Sequence, residues 1–167
     1  MRFALSAIIS ALVKDRLKTG GHETMRIFIG GVMQASITGK GIVSQDYRRQ
    51  IADALRARWP EVEVIDPFEQ HPASVEYDDA RAKETLFASL AYAAASDLLI
   101  AYVPTASMGT ALEMYVAHAR GVPVVTISPL AENWVVRALS QRVYPDLDGF
   151  LAVVGAAEIP ASIASSP

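Results

Sequence analysis

The chain contains no cysteine. That absence excludes disulfides, thiolate metal sites and cysteine nucleophiles together, and it fits a reducing compartment such as the cytoplasm. Histidine is scarce as well, with three residues at no ligand-like spacing, so no metal site is expected. Positive charge is also in deficit. Lys and Arg number 15 against 18 Asp and Glu, for a formal charge of -3, and such a surface is not built to neutralise nucleic-acid phosphates. No stretch approaches the ~20 apolar residues of a membrane-spanning helix, so neither nucleic acid nor a membrane is expected as a partner. Apolar residues are abundant, at 51% of 167, which suits one domain with a sizeable core and leaves too little chain for two.

Charge marks a boundary near residue 24. Arg2, Lys14, Arg16 and Lys18 stand against Asp15 and Glu23 in the opening segment, whereas the remainder is acidic. Phe3 to Val13 is an apolar run, but the charged-apolar-small order of a signal peptide is missing. Residues 1–24 therefore read as a basic amphipathic leader or the product of an upstream start, with Met25 a natural alternative beginning. A domain is expected over 25–155, followed by a flexible Ser/Ala/Pro tail over 156–167.

Within 25–155 strands and helices alternate. Arg26 to Gly31 reads as a buried strand stopped by glycines, and a loop runs on to Val43. Ser44 can cap a helix through Trp59, with Tyr47, Ile51, Ala54 and Leu55 on one face and Arg48, Arg49, Arg56 and Arg58 mostly on the other. Pro60 ends it. Val62 to Ile65 is a second strand broken by Asp66-Pro67, and a polar stretch leads to an Ala-rich helix over 80–95. Leu98 to Val103 is a continuous apolar strand, implying burial on both faces. A helix over 108–120, a strand over 123–127 and a helical segment over 131–140 follow. This alternation predicts an α/β fold: a single-domain, flavodoxin-like or Rossmann-like doubly wound parallel sheet of about five strands in the order 2-1-3-4-5. Ligands in such sheets bind at the carboxyl ends of the strands where the order reverses, here the loops after Ile29 and Val103.

Several site patterns fail on inspection. Thr38-Gly39-Lys40-Gly41 lacks the flanking residues of a P-loop, and Gly30-Gly31 is not a dinucleotide fingerprint. Ser107 lacks the preceding glycine of a nucleophile elbow. His71 and His118 read as solvated or packed rather than catalytic. Asp78-Asp79 could hold a sugar hydroxyl or a cation, but the simpler role is to complement a helix N-terminus. Tyr47 or Phe68 could stack on a planar ligand or serve the core.

The segment Tyr102 to Met114 carries more. A buried strand ends, a small-residue loop follows, and a helix opens with Gly109 in its first turn, where exposed N–H groups attract anions. Ser107 can cap that helix or donate its hydroxyl to a ligand. Glu113 lies further along and faces either the site or solvent. If it faces the site, proximity to the helix N-terminus should lower its pKa and keep it ionised, as suits attack on a cationic sugar carbon.

At these residues the chain resembles the nucleoside 2-deoxyribosyltransferase superfamily, including its nucleoside 5'-monophosphate N-glycosidase branch. The likeness covers roughly residues 25–150 and is sharpest at Ser107-Met108-Gly109-Thr110-Ala111-Leu112-Glu113, similar to the family's S-x-G-x-x-x-E and G-T-A-x-E patterns. The resemblance implies that Glu113 is the nucleophile at the sugar C1', that Ser107 and Gly109 hold the 5' side of the sugar or its phosphate, and that no cofactor or metal takes part. It also implies a homodimer, or a larger even assembly, in which Asn133 reaches into the neighbouring subunit's site.

The departures are specific. Where many members carry an aspartate before the third strand, this chain has Ser89, so either another carboxylate such as Glu84, Asp79 or Asp78 takes its place or catalysis is weakened or altered. Gly31 and Met33 stand where the monophosphate branch offers a serine and an arginine, although the amides of Gly30 and Gly31 can still bind an anion. The expected activity is cleavage of the N-glycosidic bond of a nucleoside or nucleoside 5'-monophosphate, by hydrolysis or base transfer. The alternative is a non-catalytic nucleotide-binding or signalling module on the same fold.

Overall fold

The computed structural model describes Ile8, residues 24–35 and residues 37–156. The expected leader and tail thus lie outside the described residues, apart from Ile8, Thr24 and Ala156. Strand β1 (Arg26–Gly31) is followed by α1 (Asp46–Arg58), β2 (Glu63–Ile65), the short α2 (Pro67–Gln70), a 3-10 turn (Ser74–Glu76) and α3 (Asp79–Ala95). Then come β3 (Leu98–Tyr102), α4 (Met108–Ala119), β4 (Val124–Ile127), α5 (Trp134–Leu139), β5 (Arg142–Tyr144) and α6 (Leu147–Ala156). All strand pairs are parallel, in the order β2-β1-β3-β4-β5. The doubly wound sheet and its expected strand order are both present.

Alternation along the strands divides the core. Ile27, Ile29, Leu98, Ile100, Val125 and Ile127 point to one face, where they meet Ile51 and Leu55 of α1 and Phe150 and Val154 of α6. Ile8 is buried in this same cluster. Phe28, Leu99, Ala101 and Val124 point to the other, against Ala93 of α3 and Met114 and Ala117 of α4. A strand flanked on both faces must be apolar at every position, hence the unbroken runs in β1, β3 and β4. Each fully buried large side chain contributes roughly 1.5–3 kcal/mol.

Several boundaries differ from the sequence reading, each for a local reason. Helix α1 begins at Asp46 rather than after Ser44, because the Ser44 hydroxyl turns to the Asp46 carboxylate (2.8 Å) while the Gln45 amide donates to the Val32 and Val43 carbonyls (3.1 and 2.8 Å). Helix α5 is shorter than 131–140, since Asn133 caps it by accepting from the backbone N–H of Val135 at 2.9 Å. The polar stretch after Asp66 holds α2, whose cap is Asp66 itself with Pro67 in the first turn. Helix α6 had no counterpart in the sequence reading.

Candidate active site

The carboxyl ends of β1 and β3 open into a cleft of about 310 Å³, bounded by Gly31 and Met33 after β1, Arg48 of α1, His71 and Tyr77 between β2 and α3, Ser89 of α3, and Ser107, Gly109 and Glu113 of α4. It lies at the switch point, where β1 separates β2 from β3. Helix α4 starts there because Ser107, in extended backbone, accepts from the Thr110 N–H, and its hydroxyl also meets the Thr110 hydroxyl at 2.9 Å. Glu113 faces the cleft and not solvent.

Glu113 is held on two sides. Its Oε1 accepts from the Ser89 hydroxyl at 2.8 Å, and its Oε2 lies over Gly30, where a Cβ would stand 2.7 Å away. A side chain at this position would push the carboxylate aside. Burial removes water from this group and raises its pKa from 4.5 to about 7, while the Ser89 hydrogen bond and the Arg48 charge pull the other way and Asp66 adds to the rise. The expected depression is therefore corrected. Glu113 is the sixth residue of α4, beyond the first turn where the helix dipole acts, so desolvation prevails.

Beside Glu113 sits a buried ion pair. Arg48, 4% exposed, donates Nη1 to Asp66 Oδ1 at 2.8 Å and to the Ile29 carbonyl at 3.0 Å, Nη2 to the Gly31 carbonyl at 3.0 Å, and Nε to Gln45 Oε1 at 2.7 Å. It pins α1 to the ends of β1 and β2. Placing Arg48 on the solvent face of α1 was an error: with Ile51, Ala52 and Leu55 it completes the buried stripe at i, i+3, i+4 and i+7, and its charge is matched within the core. That periodicity was the signal available in the sequence.

The other expected site residues divide. Gly31, Ser89, Ser107 and Gly109 join Glu113 at the cleft, with Gly30 directly below it. Asp79 does not: it is the exposed first residue of α3, while Asp78 caps that helix at the Arg81 N–H (2.8 Å). Asn133 lines an adjoining cavity of about 370 Å³, mostly apolar, which shares Ala35, Ser107 and Met108 with the cleft. Tyr47 belongs to the core, stacked on Tyr102 at 4.1 Å, and burial holds its phenol well above the ordinary value so that it stays a donor to the Val32 carbonyl. Phe68 lies near the Arg48 guanidinium, 6.0 Å from it, rather than in the cleft. Arg48, Asp66, His71 and Tyr77 were not anticipated. Among the described residues no group of three or more His, Asp or Glu could hold a metal ion, and no helix is long and apolar enough to cross a membrane.

These features define a doubly wound α/β protein with a half-buried carboxylate at its switch-point cleft. No family model matches the sequence, and no curated protein matches it significantly. Among solved structures, a 2-deoxyribosyltransferase from the psychrotolerant bacterium Bacillus psychrosaccharolyticus is similar with a TM-score of 0.58 and 16% identity, over 83% of this chain and 95% of that one. A conserved protein from Enterococcus faecalis V583 is similar with a TM-score of 0.56 and 20% identity, over 80% of this chain and 99% of that one. The chain has the 2-deoxyribosyltransferase fold.

Proposed function

We propose that the protein cleaves the N-glycosidic bond of a nucleoside or nucleoside 5'-monophosphate, with Glu113 as the nucleophile. The observation that carries this reading is the Glu113 carboxylate itself, held by Ser89 over Gly30 at the floor of the switch-point cleft. A carboxylate partly withdrawn from water gains much from a positive charge developing beside it, and the oxocarbenium-like carbon of a departing sugar supplies that charge. Glu113 attacks C1', the C1'–N bond breaks, and water or a second base completes hydrolysis or transfer. The 5' side of the sugar, or its phosphate, lies toward Ser107, Gly109 and the amide of Gly31 at the end of β1. The domain over 25–155 acts in the cytoplasm as a homodimer or larger even assembly; the exposed Met108 at the Asn133 cavity and the exposed Tyr115 and Trp134 support the assembly.

The test is direct. The purified protein is incubated with a panel of nucleosides and 5'-monophosphates, and free base is measured by chromatography, with Glu113→Ala as the control. Base release that disappears in the variant supports the reading. Tight nucleotide binding without base release, unchanged by Glu113→Ala, instead establishes the non-catalytic binding module, for which Ser89 in the aspartate's place is the motive.

A further inference from the structure

N-glycosidic cleavage needs a proton as well as a nucleophile, because a nucleobase leaves poorly as an anion. His71 lines the cleft that holds Glu113, but it comes from the far end of α2. Its Nδ1 lies 3.1 Å from the Tyr77 hydroxyl, and the two rings meet edge to face with centroids 5.9 Å apart. Tyr77 is itself covered by Arg81, whose guanidinium carbon sits 4.0 Å from the ring centroid. The imidazole is thus oriented through one nitrogen, and no hydrogen bond among the described residues engages Nε2. A ring fixed at one nitrogen with the other free in a cleft is the arrangement by which histidine moves protons. The charged and titratable groups around it are Tyr77, Arg81 stacked on Tyr77, and Arg48 and Glu113 in the same cleft.

We infer that His71 is the general acid that protonates the departing base, with Tyr77 as its positioning residue. This rests on the reading of Glu113 as the nucleophile. In the first step Glu113 forms the C1'–O bond as the C1'–N bond breaks. The electron pair goes to the base nitrogen, which takes the Nε2 proton of the imidazolium while Nδ1–H remains on the Tyr77 oxygen. In the second step water attacks C1' and returns a proton to Nε2, restoring the imidazolium and the free carboxylate. In base transfer the incoming base's N–H supplies that proton.

The test compares two leaving groups: a natural nucleobase, which needs the proton, and 4-nitrophenolate on the same sugar, which does not. Read in the first turnover, before water attacks, His71→Gln should slow base release by roughly 10²–10⁴-fold and nitrophenolate release by less than about 5-fold. Tyr77→Phe keeps the ring under Arg81 and removes only the hydroxyl. It should slow base release by about 3–10-fold and nitrophenolate release by less than about 2-fold. If His71→Gln matches the wild type on both substrates, or slows both equally, His71 is not the acid and the inference falls alone. A wild-type protein that releases neither leaving group overturns the Glu113 reading and this one with it.

Discussion

The Ser89 hydroxyl donates to Glu113 Oε1 at 2.8 Å, tying α3 to α4 at the floor of the cleft. A neutral donor at this place has a consequence that an aspartate would not have. It stabilises the ionised carboxylate and occupies one of its oxygens, leaving Oε2 for a substrate. In Ser89→Ala the stabilising bond is gone, so Glu113 ionises at higher pH. The pH at which catalysis turns on should rise by about one unit, with the plateau rate less affected. A pH–rate profile of the two proteins checks this, and an unmoved profile would show that Ser89 serves only packing.

The ionisation of Glu113 also couples activity to stability in opposite senses. The nucleophile must be charged, so kcat/KM for 4-nitrophenolate release, which needs no proton from His71, should rise with pH and level off above about 7. Folding responds the other way. The folded pKa is about 7 against 4.5 in the unfolded chain, so the native state holds the extra proton between those values. The contribution of Glu113 to stability is greatest below 4.5, falls as pH rises toward 7, and is flat beyond. Glu113→Gln should abolish cleavage and raise Tm at pH 8 by a few degrees, corresponding to about 1 kcal/mol, with little gain at pH 4.5. Thermal melts across that range would disprove the assignment if the gain were independent of pH.

The two glycines after β1 separate function from stability. A Cβ at Gly30 would press on Glu113 Oε2, whereas a Cβ at Gly31 would collide with the Tyr47 hydroxyl and ring. Gly30→Ala should therefore displace the carboxylate and cost activity at least tenfold, with only a small change in melting. Gly31→Ala overpacks the Tyr47 contact, and a loss of about 1–3 kcal/mol is expected. Denaturant titration and base-release rates measured on both variants would expose a reversal of this order.

How much of this was legible in the sequence depended on the range of the interaction. The alternation of unbroken apolar strands with helices pointed to a doubly wound parallel sheet, because burial on both faces leaves a pattern that local reading detects, and the strand order followed as the expectation for that fold class. Ser107, Gly109 and Glu113 were legible because one helix start carries all three. The Arg48–Asp66 pair joins residues from α1 and the end of β2, and its members look like a surface charge and a strand breaker when read alone. His71 gains its meaning from Tyr77 and from a cleft whose opposite wall is more than thirty residues away in the chain. The sign of the Glu113 shift was misjudged for a related reason: desolvation is a property of the assembled walls, and the helix dipole was the only influence visible locally.

The Arg48–Asp66 pair should behave as a buried charge pair does. Arg48→Met leaves the Asp66 carboxylate with the Phe68 N–H but no opposite charge, and the carbonyls of Ile29 and Gly31 without their side-chain donor, and a loss of about 3–5 kcal/mol is expected. Arg48→Met combined with Asp66→Leu removes both charges and should recover part of that loss. Urea titrations of the single and double variants give the coupling. A double variant no better than the single would place the cost in the abandoned carbonyls instead of the abandoned charge.

Asn133 offers the sharpest test of a shared site. Within one chain it caps α5 and lines the cavity next to the cleft, and the neighbouring Trp134 and Met108 are 84% and 86% exposed. Large apolar side chains left this open are suited to contact with a second copy. Light scattering should show a dimer that Trp134→Glu weakens. Asn133→Ser retains a capping oxygen, so it should lower activity without undoing α5. If Asn133 acts across the interface, Glu113→Gln and Asn133→Ser chains should complement each other when mixed and allowed to exchange. A heterodimer then joins the intact Glu113 of one chain to the intact Asn133 of the other, so a statistical mixture regains about a quarter of the wild-type sites. If both residues act within one chain, mixing restores nothing, because every site contains a damaged member.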